Sequence, residues 1–206
     1  MNKYLYCLPL MIWGAMDLAP RGPVLWAADR NTGDLVELGA LKSRAPADWV
    51  EEKPNNAQGY KQYRLRVVRD DTENARLTIQ SVDRKIGDSA LNEVQRWKET
   101  FLPPRGKEMN DVAKTRELKV PGGTITYLDV RGDYKGIPGD PTTPRGNYRL
   151  LGVYFATPQG DYLIRLFGPA ETVEFYREGF ENWVKAFTSA THQTSCDRAL
   201  DSFAVP

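Results

Sequence analysis

The chain contains few of the residues on which common catalytic centres and disulfide scaffolds depend. Among its 206 residues there is one histidine, His192, and there are two cysteines, Cys7 and Cys196. Zinc sites use several histidine or cysteine ligands, and a Ser-His-Asp or Cys-His centre needs a positioned base. Because His192 and Cys196 lie in a polar carboxyl-terminal segment, the sequence predicts neither kind of site. No catalytic residue and no metal ligand is assigned.

Phosphate-binding loops and a strong net charge are also missing. Neither G-x-x-x-x-G-K-S/T nor G-x-G-x-x-G occurs, so no nucleotide is predicted, and no cofactor of any kind is assigned. The 28 lysines and arginines nearly balance the 27 aspartates and glutamates, which gives a formal net charge of +1. A nearly balanced chain offers no long-range field to a polyanion. Nucleic acid is therefore not an expected partner.

The first 28 residues differ from the rest of the chain. Lys3 is followed by an uncharged segment over residues 4–16, and Ala27-Ala28 supply small residues at a cleavage position. This order is typical of a secretory signal peptide, so we expect an exported bacterial protein, periplasmic or extracellular. The apolar segment is shorter than the roughly 20 residues of a membrane-spanning helix. A membrane-tethered domain with an uncleaved leader is the alternative, and membrane association is expected only in that case.

Cleavage after Ala28 would remove Cys7 and leave Cys196 as the remaining cysteine. No intramolecular disulfide could then form, so a hydrophobic core must hold the fold. We expect a linker or leading element at 29–47 and a single α+β domain at 48–187. A polar C-terminal tail is expected at 188–206.

The central part of the chain alternates between strand-like and helix-like patterns. Period-two alternation or a buried apolar run, bounded by short turns, predicts strands at 60–68, 75–82, 115–120, 124–130, 148–157 and 161–167. Apolar residues at helical spacing predict helices at 91–101 and 170–187. The order β–β–α–β–β–β–β–α predicts an α+β fold. We expect an antiparallel sheet of about six strands, built from hairpins and covered by two main helices.

The first helical pattern, LNEVQRWKETF, is open to two interpretations, a recognition helix or a core helix with a solvated back. Leu91, Val94, Trp97 and Phe101 fall along one side and are predicted to face the sheet. Trp97 is accordingly predicted to be a core anchor rather than a recognition residue. Arg96 lies on a neighbouring face and remains a candidate binding residue.

The second helical pattern contains a glycine, Gly179, in its interior. Glycine in a helix interior costs about 1 kcal/mol relative to alanine. Its presence predicts that the helix approaches the sheet closely at this point.

The connection over residues 131–147, RGDYKGIPGDPTTPRGN, is longer than a structural link requires. Connections without secondary structure above roughly 12–15 residues are uncommon and often functional. This one carries Tyr134, Lys135 and Arg145, and tyrosine and arginine recur in recognition surfaces. These three residues and Arg96 are the candidates for contact with a protein or small ligand. The other interpretation is a solvated insertion that binds nothing.

Several short motifs resemble a group of uncharacterised exported bacterial proteins. The motifs are Trp49-Val-Glu-Glu-Lys-Pro, Tyr63-Arg-Leu, Asn92-Glu-Val-Gln-Arg-Trp with Phe101, Gly132-Asp-Tyr-Lys and Tyr148-Arg-Leu-Leu-Gly. The resemblance covers roughly residues 49–187. The element order is also similar to the PsbP-like fold, a layered sandwich shared by an extrinsic photosystem II subunit and a Ran-binding import factor. A shared fold does not carry function, and no catalytic residues are established for the group, so the resemblance implies an architecture only.

These observations predict an exported, non-enzymatic binding or envelope-accessory module whose ligand the sequence does not determine. The alternative is a carboxylate-dependent hydrolase. It would require a pocket in which two acids converge and have shifted pKa values.

Overall fold

The structure is a computed structural model that describes residues 33–53, 59–68, 71, 73–82, 89–136 and 145–189. The predicted signal peptide at 1–28, and the segment with His192 and Cys196, lie outside these residues. No helix in these ranges is long and apolar enough to span a membrane.

The described residues form eleven strands and three helices in chain order. The strands are β1 (Leu35–Leu38), β2 (Leu41–Arg44), β3 (Val50–Glu52), β4 (Gly59–Leu65), β5 (Ala75–Val82), β6 (Phe101–Leu102), β7 (Ala113–Val120), β8 (Gly123–Tyr134), β9 (Arg145–Thr157), β10 (Gly160–Pro169) and β11 (Thr188–Ser189). The helices are α1 (Ala90–Glu99), α2 (Met109–Val112) and α3 (Ala170–Lys185).

An eight-stranded antiparallel sheet lies at the centre of the fold. Its order is β3-β4-β5-β10-β9-β8-β6, and β7 pairs with another part of β8. The predicted α+β class and its hairpins are confirmed, because β4 pairs with β5, β7 with β8 and β9 with β10. The predicted number of about six strands is too low. β3 and β6 have three and two residues, which is too short for alternation to show in the sequence.

Two hydrophobic clusters occupy the two faces of this sheet. The larger one joins the sheet to α3 and includes Phe155, Phe180, Trp183 and Phe187. The smaller one joins the sheet to α1 and includes Trp97 of α1 together with residues of β8 and β9. Helices therefore cover both faces, in a layered arrangement.

The segment predicted as a linker or leading element contains the hairpin of β1 and β2, and β11 adds a third strand to it. Val36, Leu38 and Leu41 on this small sheet are buried and belong to the larger cluster. Alternating burial along β1 and β2 explains how a weakly apolar segment joins the core.

Helix α1 is shorter than predicted and buries only part of the predicted face. Ser89 caps it by accepting a hydrogen bond from the backbone N–H of Asn92, and the helix ends at Glu99. Val94 and Trp97 are buried as predicted, whereas the prediction for Leu91 is wrong, since 74% of this residue is exposed. At 3.6 residues per turn, Leu91 lies about 120° around the helix from Trp97. Phe101 is buried, but in β6 rather than in the helix.

Helix α3 buries the predicted apolar stripe, from Val173 through Tyr176 and Phe180 to Trp183. The prediction for Gly179 is wrong, because a Cβ atom built on this exposed residue would meet nothing within 4 Å. The glycine therefore faces solvent and not the sheet.

The long connection predicted over 131–147 is largely strand at both ends. β8 continues to Tyr134 and β9 begins at Arg145, and these two residues are paired in the sheet. Gly132 is needed here, because a Cβ atom at this position would lie 2.5 Å from the carbonyl oxygen of Leu102 in β6. Glycine and aspartate at the strand end concealed this pairing in the sequence. The middle of the connection, 137–144, lies outside the described residues.

Candidate functional site

One part of the sheet face on the α1 side presents a mixture of arginine and aromatic side chains. Helix α1 packs on β8 and β9, and β10 and β5 follow in the sheet order. Arg165 and Phe167 of β10 lie opposite Thr78 and Arg76 of β5. Since residues that pair across antiparallel strands share a face, these four side chains lie on one surface beside α1.

A cavity of about 250 Å³ lies between this surface and the end of α1. Its polar lining comes from Arg76, Thr78, Thr100 and Arg165. The remaining lining is apolar or aromatic and consists of Trp97, Phe101, Tyr134, Leu150 and Phe167.

A second, more polar depression of about 690 Å³ adjoins the cavity, and the two share Arg76 and Phe167. We call the cavity and this depression together the α1-side groove. The depression is also lined by Glu52, Arg64, Val67, Glu73, Asn74, Ala75, Arg145, Tyr148 and Gly168.

Four aromatic residues of the groove, Phe101, Tyr134, Tyr148 and Phe167, pack against one another. The Tyr134 ring centroid lies 4.7 Å from that of Phe167 and 5.7 Å from that of Phe101. The Tyr148 ring centroid lies 5.2 Å from that of Phe167. Such contacts hold the rings in place, so the groove has a preformed apolar wall.

Arg165 is the most buried arginine of the groove. Burial lowers its pKa, and the nearby Glu93 carboxylate opposes that effect. Its guanidinium donates a hydrogen bond to Oε1 of Gln80 at 3.0 Å. Glu93 is itself buried in α1 and bound by Arg96. A guanidinium has five N–H donors, so the bond to Gln80 leaves capacity for a ligand.

At the other end of the groove, Arg145, Glu73 and Tyr148 form a hydrogen-bonded group. Arg145 pairs with the Glu73 carboxylate and donates to the Tyr148 hydroxyl at 3.2 Å, and that hydroxyl donates to Glu73 at 2.9 Å. The pKa of Arg145 is raised, chiefly by its bond to Tyr148. The pKa of Tyr148 is also raised, chiefly by burial. Each of these three side chains therefore binds the other two.

Two of the four residues predicted from the sequence line the groove, namely Tyr134 and Arg145. Lys135 follows β8, with an exposed side chain and a backbone N–H that donates to the Thr100 carbonyl at 2.9 Å. Arg96 is exposed on α1 and pairs with Glu93. The binding roles of all four remain predictions.

The sequence did not single out Arg76, Arg165 and Phe167 as candidate site residues. One signal was present, a single arginine within the apolar run DYLIRLF, which was assigned to a strand. Lysine and arginine are rarely fully buried unless paired, so Arg165 could have been singled out. Arg76 could not, because only the strand register places it beside Phe167.

The opposite face of the sheet carries an ion-pair group with a structural role. Arg149 donates to both carboxylate oxygens of Asp129, at 2.8 and 2.7 Å, and also binds Glu174 of α3. Its interactions tie β9 to β8 and to α3. Within the described ranges, no cluster of acidic, histidine or cysteine side chains could hold a metal ion.

Comparisons with known proteins identify no family. No family model matches the chain, and no curated protein matches it. Among solved structures, a Pseudomonas aeruginosa protein of unknown function, PA94, is similar at 12% identity and a TM-score of 0.42, over 74% of this chain and 93% of that one. The Saccharomyces cerevisiae Ran-binding protein Mog1p is similar at 13% identity and a TM-score of 0.40, over 76% and 94%. At these values neither structure carries an argument about function.

Proposed function

We propose that this protein is a non-enzymatic binding module that takes its ligand in the α1-side groove. The observation that carries the proposal is the cavity of about 250 Å³, in which aromatic residues and Arg165 line the same space. Binding sites commonly combine an apolar lining with a few polar groups that orient the ligand. The cavity is at the small end of such sites, which favours a small molecule over a folded protein.

The carboxylates of the groove support binding rather than hydrolysis. Glu52 is paired with Arg64, with 3.2 Å between the nearest nitrogen and oxygen, and Glu73 is held by Arg145 and Tyr148. A hydrolase of the carboxylate type needs one acid to give or take a proton. Both described carboxylates of the groove are therefore already bound by neighbouring side chains, and no specific observation favours the enzymatic alternative.

The ligand-binding part of the proposal is tested by nuclear magnetic resonance on the isotopically labelled full-length chain. A library of small acids, amides, amines and sugars is titrated, and shifts are mapped onto the structure. We expect the largest shifts at Trp97 and Phe167 in the groove. Phe175, which is 62% exposed on α3, is the internal control. A library that shifts no groove resonance would contradict the proposal.

We further propose that the module acts outside the cytoplasm, on the basis of the signal-like leader. Amino-terminal sequencing of the protein recovered from the exporting cell tests this. We expect a start after Ala28. A start at Met1 would contradict cleavage and favour the membrane-tethered form.

A further inference from the structure

The charges of the α1-side groove do not balance. Its lining, within the part of the chain that the structure describes, contains four arginines, namely Arg64, Arg76, Arg145 and Arg165, and two glutamates. Arg64 pairs with Glu52, and Arg145 pairs with Glu73. Among the described residues, no carboxylate lies within ion-pair distance of Arg76 or Arg165. The described lining of the groove therefore has an excess of two positive charges, both beside Phe167.

The excess positive charge is unfavourable at Arg165, because this residue is half-buried. Removing part of a charged group from water is unfavourable unless a partner compensates. In the described part of the chain, Arg165 donates one hydrogen bond to the neutral amide of Gln80 and is stabilised by the fields of Glu93, which Arg96 also binds, and of Tyr134. A ligand anion beside Arg165 would supply the missing partner. Charge-assisted pairs of arginine with a carboxylate are among the stronger hydrogen bonds in proteins.

The rest of the cavity indicates what accompanies that anion. Trp97, Phe101 and Phe167 contribute apolar surface within the same small space as the Arg165 guanidinium. A fully hydrated inorganic ion would leave this surface exposed to water. A molecule with an aromatic or aliphatic body would cover it, which is favourable because apolar surface is removed from water.

We propose that the α1-side groove binds a small organic carboxylate with an aromatic or aliphatic body, and that the carboxylate pairs with Arg165 and Arg76. This inference rests on the proposed binding function and adds the chemical class of the ligand. Arg165 holds the anion inside the cavity, and the exposed Arg76 contacts it from the edge. The apolar body lies against Phe167 and the indole of Trp97.

The test uses 3-phenylpropionate as the probe, measured by isothermal titration calorimetry with the purified full-length chain. 3-Phenylpropanamide has the same body without the charge, and acetate has the charge without the body. We expect saturable binding of 3-phenylpropionate and at least about tenfold weaker binding of each comparison compound. Phenyl phosphate separates carboxylate from phosphate recognition, and we expect it to bind more weakly than 3-phenylpropionate.

Matched substitutions test whether Arg165 and Arg76 cause the preference for 3-phenylpropionate over 3-phenylpropanamide. We expect Arg165→Gln to reduce the affinity for 3-phenylpropionate at least about tenfold and to remove the preference over the amide. Arg76→Gln is expected to reduce the preference severalfold. Because Arg76 is exposed, we expect Arg76→Gln to fold, and it tests the role of the arginines if Arg165→Gln fails to fold. Arg105→Gln, at an exposed arginine outside the groove, is expected to bind as the unaltered protein does.

The inference would be overturned by any of the following results. They are equal affinity for the acid and the amide, tighter binding of phenyl phosphate, or an unchanged acid preference in the Arg76→Gln and Arg165→Gln variants that fold. Failure to bind 3-phenylpropionate at about 10 mM would also overturn it. If neutral compounds of the library still shift groove resonances, the inference fails while the proposed binding function stands. If nothing in the library shifts them, both fail.

Discussion

The indole of Trp97 lies directly on the backbone of Gly152. A Cβ atom at residue 152 would be 2.4 Å from Cε3 of Trp97 and 2.5 Å from its Cζ3. Only glycine leaves room for this contact, through which α1 packs on β9. Because Trp97 also lines the cavity, the same contact determines the shape of the groove.

The substitution Gly152→Ala should destabilise the protein. The added methyl group must displace the indole or the strand, and overpacking of this kind typically costs about 1–3 kcal/mol. Thermal unfolding followed by circular dichroism measures the effect. Gly160→Ala is the matched control, since a Cβ atom there would meet no atom closer than 3.9 Å. Equal melting temperatures for the two variants would contradict the contact.

Two truncations within α1 separate its buried and exposed faces. Trp97 is 4% exposed, so Trp97→Ala should lower the free energy of unfolding by about 3–5 kcal/mol. Leu91 is 74% exposed, so Leu91→Ala should change it by less than about 0.5 kcal/mol. Urea denaturation compares the two variants. A larger loss for Leu91→Ala would mean that Leu91 packs against the sheet, as the sequence pattern predicts.

The substitution Gly179→Ala should stabilise the protein. The residue lies in the interior of α3 with open space where a Cβ atom would be. Alanine lowers the entropy of the unfolded chain and favours the helix, which is worth about 0.5–1 kcal/mol. Differential scanning calorimetry should show a higher melting temperature. A lower one would indicate a contact on this side of α3.

Glu174 should contribute stability that depends on pH. Partial burial raises its pKa, but hydrogen bonds from Arg149 and Arg177 lower it more, so the folded-state pKa lies below the ordinary value of 4.5. A depressed carboxyl pKa stabilises the fold above the ordinary value, and this stabilisation is lost as the pH falls through the folded-state pKa.

Glu174→Gln should therefore be less stable than the unaltered protein at pH 7, and the difference should shrink as the pH falls below about 4. Denaturation at a series of pH values measures this difference. Glu178→Gln, at an exposed position on the same helix, is the control. A difference that stays constant down to pH 3 would show that the carboxylate charge is not the cause.

Much of the fold could be predicted because burial follows the period of each element. The stripe of α3 and the alternation of β5 and β10 are visible in the residues themselves. Leu91 was assigned to the wrong face because a short helix with few apolar residues has no unique apolar side. A buried glutamate, Glu93, takes a place on the face that does pack.

The candidate site could be predicted only in part. Tyr134 and Arg145 stood out because aromatic and basic residues in a long connection are typical of recognition. They do line the groove, although as paired strand residues rather than as loop residues. Arg76 and Phe167 are 91 positions apart in the sequence, and no local pattern relates them. Their proximity depends on β5 pairing with β10.

The sequence by itself determined the α+β class, the three main hairpins and the two long helices. These properties depend on residue type and local period, which a sequence displays directly. The tertiary structure decided which side of α1 is buried and at which glycines another side chain packs against the backbone. It also decided that Arg76 and Arg165 lie beside the aromatic residues of the groove. Strand order and register bring distant residues onto one face, and only the folded chain contains that information.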